Sequence, residues 1–482
     1  MRYRELTRLL GLLVGLLGLS MVLPLLWALY LNDGQALSFL LSAAICMLFG
    51  GGAFLIARRG ARPTGRREAL AAVGLGWLLC GAFGALPYML GGTLAAFHDA
   101  FFETLSGLTT TGATVLTDIE STAASVLFWR SLTHWLGGMG VVVLFVAVLP
   151  SLGASGKYLF QSEATGPTPG GLRPRVRETA SLLWKIYLTM TVLEIGLLVA
   201  FGMDFYDSLV HTFGTVATGG FSSRNASIAA YDSLAIELTI IAFMILAGTN
   251  FALYYRCLRG NRGAIWRDAE WRAYIAIMLG ATIFVSGHLW LTGTVTEIGQ
   301  AAREASFQVV SLTTTTGYCT ADFDQWPVAT KTLLVLLMFV GGSAGSTGGG
   351  MKVIRVVLLV KIIRHTIRLA YAPATVRTVR LGRAVVENRV RMATMAYFVA
   401  LMTVLATATF LVALTGPDLV TSLTGVIATL NNIGPGLGGV GAEENYASFA
   451  PFAKYVLSIC MTLGRLELFA ILVLFAPGLW RR

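Results

Sequence analysis

Charge is what this sequence has least of. Only 13% of its 482 residues are Asp, Glu, Lys or Arg and 55% are hydrophobic, whereas soluble domains carry roughly a quarter charged residues. That shortage excludes a water-soluble globular domain. Cysteine is also scarce. Cys46, Cys80, Cys257, Cys319 and Cys460 are scattered, mostly inside apolar runs, and none forms a CxxC pair, which excludes a disulfide scaffold or a cysteine metal centre. The histidines His98, His134, His211, His288 and His365 are equally dispersed. No metal or nucleophile constellation appears, no P-loop is present, and the glycine runs lie within or beside apolar stretches. The sequence therefore reads as non-enzymatic.

What it has in abundance is apolar runs of span length. They recur along the whole chain, each able to cross a hydrocarbon layer of roughly 30 Å, so the chain reads as an all-α polytopic membrane protein. The run Leu9–Leu31 is too long for a signal peptide and lacks a convincing small-residue cleavage site, and is expected to be a retained span. The net charge of +11 would suggest nucleic acid until it is mapped. All but six of the 36 basic residues lie at 2–8, 58–67, 157–185, 256–272, 352–391 and 481–482, marking one face as cytoplasmic, with both termini there. The opposite side carries acids such as Asp99, Glu103, Asp207, Glu304, Asp322, Asp324 and Asp418. These read either as an outer mouth that concentrates cations or as ordinary topology bias.

Two leading spans (residues 1–66) precede a pattern that occurs four times, in segments 67–152, 153–262, 263–390 and 391–482. Each holds a span, a half-length amphipathic stretch, a loop rich in small residues and a second span. The half-length stretches Asp99–Thr109, Asp207–Val216, Glu304–Leu312 and Asp418–Ala428 are too short to cross as helices and fit re-entrant segments. An acid near each expected start, at Asp99, Asp207, Glu304 and Asp418, would cap the helix and suit its positive end. Each segment crosses an even number of times, so the four are expected to be like-oriented around a pseudo-four-fold central pore. Inverted repeats would place the axis in the membrane plane. The loops carry Thr110-Thr111-Gly112, Thr218-Gly219, Thr315-Thr316-Gly317 and Asn432-Ile433-Gly434. Carbonyls exposed at such loops can replace an ion's water shell, and the glycines leave the backbone free to do so.

The loops TTTGAT (Thr109–Thr114), ATGGFS (Ala217–Ser222) and TTTGY (Thr314–Tyr318) occur with HWLGGMG (His134–Gly140), GGSAGSTGGGMK (Gly341–Lys352) and LGRLE (Leu463–Glu467). In this combination the chain resembles the Trk/Ktr/HKT superfamily of potassium transporters over nearly its full length. The two extra leading spans favour the TrkH type. The resemblance implies a potassium filter at the residues named above, with filter glycines at Gly112, Gly219, Gly317 and Gly434 and K+ held by backbone carbonyls only. The fourth loop departs furthest from the others.

Six glycines between Gly341 and Gly350 (Gly341, Gly342, Gly345, Gly348, Gly349 and Gly350, with Ser346 and Thr347 among them) should break the second span of the third segment, and no other segment shows such a break. The competing reading is close helix packing through small residues. The resemblance makes this run an intramembrane gate beneath the filter, with Lys352 after it. Arg465 reads as lying midway through the final span, where a charge marks function. The resemblance brings it into the cavity below the filter, whereas a buried pair with an acid such as Glu194 is the alternative. Glu467, two residues on, projects elsewhere.

Residues 365–391 form the longest basic segment, and Thr375–Val386 alternates about Leu381-Gly382 as a hairpin would. Such a segment can be a solvated, lipid-facing surface. The resemblance implies instead a docked cytosolic TrkA-type RCK protein carrying the regulatory nucleotide (ATP/ADP or NAD), a homodimer, and a bacterial cytoplasmic (inner) membrane. The other functional reading is a carrier coupling potassium to Na+ or H+, for which Glu194 and Glu467 are the intramembrane acids.

Overall fold

The computed structural model describes residues 2–58, 65–152, 176–373, 378–382 and 384–480. Six helices among them are long and apolar enough to cross a membrane: Tyr3–Leu31, Ala36–Ala57, Arg67–Leu90, Ser181–Ala200, Ala269–Leu291 and Asn388–Ala413. The helix Ala124–Leu152 adds 29 residues after the first loop. The two leading helices pack through glycine. A Cβ on Gly50 would lie 2.5 Å from the Gly15 nitrogen, and one on Gly18 would lie 2.7 Å from Cys46 Cβ. Small residues at such a seam let helix backbones touch where no hydrophobic force separates protein from lipid.

Four short helices, Phe97–Leu108, Phe205–Ala217, Ile298–Thr313 and Leu419–Leu430, stand where the sequence places them. With 12 to 16 residues and a rise of about 1.5 Å per residue they fall short of a bilayer crossing. Their starts differ from expectation in part. Asp418 is a true cap, accepting from the Val420 N–H at 3.2 Å. Asp99 and Asp207 sit in the first turn, and the cap of the second helix is Asp204. The third helix begins at Ile298, because helix-forming Gln300-Ala301-Ala302-Arg303 continues it toward the N-terminus. Glu304 therefore lies inside the helix, beside Gln300, and caps nothing.

Among the described residues the expected single break is one of three. The helix Val328–Met338 stops before the glycine run and a new helix starts at Val353. Leu234–Ala247 also breaks, meeting Phe251–Leu258 at 89°, where Asn250 caps the second piece by accepting from Ala252 N–H at 2.9 Å. Pro451–Arg465 meets Phe469–Phe475 at 114°, with Glu467 and Leu468 at φ 57° and 60°. Arg465 is thus the last residue of its helix, not the middle of a span.

On the basic segment, Arg380–Leu381 pairs antiparallel with Ala384–Val385, Arg380 opposite Val385 and Leu381 opposite Ala384. This is the expected hairpin; residues 375–377 and 383 of it lie outside the described residues. Its flanks Val379 and Val386 share an apolar cluster with Ala344 of the glycine run and with Ile354 and Leu358.

The Asp418 cap carries a stability prediction. The Thr421 hydroxyl, with the backbone N–H groups of Thr421 and Val420, holds the Asp418 carboxyl below its ordinary range. Its contribution is present above the unfolded pKa and is lost as pH falls through the lowered folded value. Asp418→Ala should cost about 1 kcal/mol at neutral pH, read as a lower melting temperature in detergent, and the gap to the parent should close in acid.

Candidate functional site

Each short helix ends in the same unusual way. Thr110, Thr218, Thr315 and Asn432 adopt φ of 53°, 56°, 64° and 56°, the left-handed region that glycine normally fills at a helix C-terminus. Paired hydrogen bonds close each end. Thr111 N–H donates to the Ser106 carbonyl at 2.9 Å, Gly219 to Gly214 at 2.7 Å, Thr316 to Ser311 at 2.9 Å and Ile433 to Ala428 at 2.9 Å. A β-branched residue there is strained, at about 1–3 kcal/mol, and three of the four are threonine. Such strain persists only where the surroundings over-determine it.

The glycines that follow lock the loops together. Gly112, Gly220, Gly317 and Gly434 have φ of 83°, 83°, 83° and 101°. A Cβ on Gly112 would sit 2.2 Å from the Gly219 oxygen, one on Gly220 2.0 Å from that of Thr316, one on Gly317 1.8 Å from that of Ile433, and one on Gly434 2.8 Å from that of Thr111. First loop touches second, second third, third fourth, and fourth first. The four loops form a closed ring in which each glycine abuts a carbonyl of the next loop.

This register moves one assignment. The partner of Gly112, Gly317 and Gly434 in the second loop is Gly220; Gly219 matches Thr111, Thr316 and Ile433. Gly219 is glycine for another reason, since its Cβ would lie 2.4 Å from His134 Nδ1. The His134 ring fills that space, stacked on Phe221 with centroids 4.0 Å apart. A cavity of about 140 Å³ lies against the ring, lined by Gly112, Gly220, Gly317 and Gly434 together with Arg130 and Glu443.

A buried polar side chain holds the chain that leaves each loop. Glu103, His211 and Gln308 stand seven residues before Thr110, Thr218 and Thr315. Glu103 accepts from Val115 N–H at 2.9 Å, His211 Nε2 lies 2.9 Å from Ser222 Oγ, and the Gln308 amide faces the backbone of Thr320 and Ala321. In the fourth loop Thr424 Oγ1 accepts from Leu437 N–H at 3.0 Å. Bonds between neighbours complete the belt. Tyr318 donates its hydroxyl to the carbonyls of His211 and Phe221 at 2.9 and 3.1 Å, and Tyr446 N–H donates to Thr114 O at 2.8 Å. Sequence reasoning named Glu103 only as an outer acid and His211 only as a dispersed histidine, and assigned this role to none of these residues. For Glu103, His211 and Gln308 the signal was their common seven-residue offset from the loops.

The glycine run presses against one side of the ring. Gly349 N–H donates to Thr315 Oγ1 at 2.7 Å, and Cβ atoms on Gly348 and Gly349 would lie 3.0 Å from Thr314 O and 2.7 Å from Asn431 O. Gly341, Gly345 and Gly350 take φ of 74°, 76° and 72°, and Lys352 72°. Thr347 Oγ1 and Ser343 N–H donate to the Ala247 and Gly248 carbonyls at 3.1 and 2.8 Å, so the run leans on the break of the neighbouring span. Glu270 Oε1 accepts from the Ala344 and Ile354 N–H groups at 2.7 and 3.2 Å, and Lys352 Nζ donates to the Gly348 carbonyl.

Arg465 joins the run to the opposite wall. Nη1 donates to Thr347 O at 2.6 Å, and Nη2 to the Gly137 and Gly138 carbonyls at 2.8 and 3.3 Å. Three backbone carbonyls thus receive the guanidinium that could have paired with Glu194. Glu467 pairs with Arg355 at 2.6 Å, and the Arg355 guanidinium lies 4.1 Å from the centre of the Tyr397 ring. The residues named from sequence therefore fall into two touching groups, the loop ring and the glycine run, with Gly342, Ser346 and Gly350 inside the run.

Known proteins share this architecture. A family model described as TrkH, cation transport protein, matches residues 36–481. The chain is 42% identical to the Trk system potassium uptake protein TrkH of Halomonas elongata and 38% identical to that of Escherichia coli K12, with full coverage of both partners in each case. The crystal structure of the potassium transporter TrkH from Vibrio parahaemolyticus superposes with a TM-score of 0.91 at 35% identity, covering all of both chains. The chain belongs to the TrkH family of cation transport proteins and is a membrane transporter, not an enzyme.

Proposed function

We propose that this chain takes up potassium across the bacterial cytoplasmic membrane through a channel-like pore whose filter is the ring of four loops. The carrying observation is the cyclic contact of Gly112, Gly220, Gly317 and Gly434 with the carbonyls of Gly219, Thr316, Ile433 and Thr111. A dehydrated monovalent cation needs oxygen ligands at fixed spacing from several sides. Four interlocked backbones supply them without a charged side chain, and the partly negative C-terminal ends of the four short helices converge on the same ring. K+ is then the transported ion. The filter comprises Thr110, Thr111, Gly112, Thr218, Gly219, Gly220, Thr315, Thr316, Gly317, Asn432, Ile433 and Gly434.

The Gly341–Gly350 run is the gate in this reading. It is bonded directly to Thr315 of the ring and braced by Arg465, whose positive charge adds a barrier to cations below the filter. The hairpin at Arg380–Val385 gives a cytosolic partner a route to the gate, because Val379 and Val386 share one apolar cluster with Ala344. The natural partner is an RCK-type subunit of the Trk system, holding the regulatory nucleotide, on a homodimer of this chain with both termini cytoplasmic.

Two substitutions test the two halves of the proposal in proteoliposomes. Gly317→Ser must push a side chain toward the Ile433 carbonyl, and should lower the potassium-to-sodium flux ratio by about tenfold or more, since distorting one ligand site by 1.4 kcal/mol is a factor of ten. A variant that folds and keeps the parent ratio would remove the ring from the ion path. Arg465→Ala frees the Thr347 carbonyl and removes the positive charge, so potassium flux should rise several-fold with the ratio unchanged; equal or lower flux at equal reconstitution would remove Arg465 from the gate.

A further inference from the structure

One charged pair sits behind the ring, on the side of the first and second loops. Arg130 and Glu103 side chains are 2% and 0% exposed, with Arg130 Nε 2.6 Å from Glu103 Oε1. Every arm of the pair reaches chain that has just left a loop. Glu103 Oε1 also accepts from the Thr114 hydroxyl at 2.9 Å and Oε2 from Val115 N–H at 2.9 Å. Arg130 Nη1 donates to the Ser222 carbonyl at 3.0 Å, and its guanidinium lies 3.5 Å from the centre of the Phe221 ring. Thr114 and Ser222 occupy matching positions, each two residues beyond its ring glycine, Gly112 and Gly220.

The pair thus spans equivalent points of two adjacent loops. The corresponding positions of the other two loops are held without charge. Cys319 O accepts from Ile228 and Ala229 N–H, and Gly436 N–H donates to Val440 O. A buried ion pair is weak evidence for stability, because apolar residues of similar volume often do as well. What it supplies here is direction. A planar guanidinium stacked on a ring and bound to one carboxylate has little freedom, and it ties two strands whose glycine–carbonyl contact forms one quarter of the ring.

We infer that the Glu103–Arg130 pair is a selectivity-determining positioning element, which sets the spacing of the first and second loops of the filter. The inference rests on the ring being the filter. Glu103 and Arg130 need not touch the ion. They act through Thr114, Val115 and Ser222, and Glu103 is the direct partner of a guanidinium that lines the cavity of the four glycines.

Glu103→Gln leaves the volume but presents an amide N–H to a backbone or hydroxyl donor and removes the counter-charge. Thr114→Val cuts the hydroxyl arm to Glu103 together with the bond that hydroxyl accepts from Leu116 N–H at 3.1 Å, and Thr114→Ser keeps both. Reconstituted and assayed for potassium, rubidium and sodium flux beside Gly317→Ser, Glu103→Gln should lower the potassium-to-sodium ratio about tenfold. Thr114→Val should lower it by a smaller factor, and Thr114→Ser should return it to the parent value. If Glu103→Gln does not yield folded protein, the threonine pair decides, because it leaves the ion pair intact. An unchanged ratio in Thr114→Val, or an equal loss in Thr114→Ser, overturns the inference. Should Gly317→Ser alter selectivity while these variants do not, the filter stands and the positioning role falls; should Gly317→Ser also leave it unchanged, the filter reading falls first.

Discussion

The structure depends on a contact with no side chain in it, the glycine of one loop against the carbonyl of the next. Four such contacts close a ring, and each requires glycine twice over, for a positive φ and for room. The rest of the protein reads as what must be done to bring four carbonyl-bearing loops that close. Half-length helices deliver each loop to membrane depth and end in a left-handed residue, and the backbone there is tolerated only because protein surrounds it. The ring is held from outside by Glu103, His211, Gln308 and Thr424, and from neighbour to neighbour by Arg130, Tyr318 and Tyr446.

Strain has a role in this arrangement. Threonine is a poor residue for φ near +55°, yet in the third loop its hydroxyl is used. Thr315 Oγ1 accepts from Gly349 of the glycine run. Beside it, Thr314 and Thr316 hydroxyls lie 2.8 Å apart, as do those of Thr109 and Thr111. Glycine at 315 would relieve the backbone and lose this direct hydrogen bond between run and ring. Asn432 meets the same demand differently, donating its amide to Thr111 Oγ1 and Met461 O at 3.0 and 2.8 Å.

Much of this was legible in the sequence. Apolar run length and the distribution of Lys and Arg gave spans, and the fourfold recurrence of a short helix before a small-residue loop gave the architecture. The losses have local causes. In Ala217-Thr218-Gly219-Gly220-Phe221 two adjacent glycines fit one template position, and only the His134 ring and the backbone φ show that Gly220 is the ring glycine. Glu304 looked like a cap because the helix that contains it starts six residues earlier, at Ile298, and runs through Gly299. The break at Glu467-Leu468 uses two good helix formers and has no sequence mark, so Arg465 appeared to lie mid-span. The pairing of Arg355 with Glu467 spans 112 positions, beyond the reach of any local pattern.

The most direct test of the central claim is the reversal potential of the reconstituted protein with unequal potassium on the two sides, an opposing sodium gradient, and the proton gradient varied independently. A ring of backbone carbonyls predicts a current that reverses close to the potassium equilibrium potential and does not move with the proton gradient. A reversal that follows the sodium or proton gradient would mean that transport is coupled and that the ring is not a simple ion path.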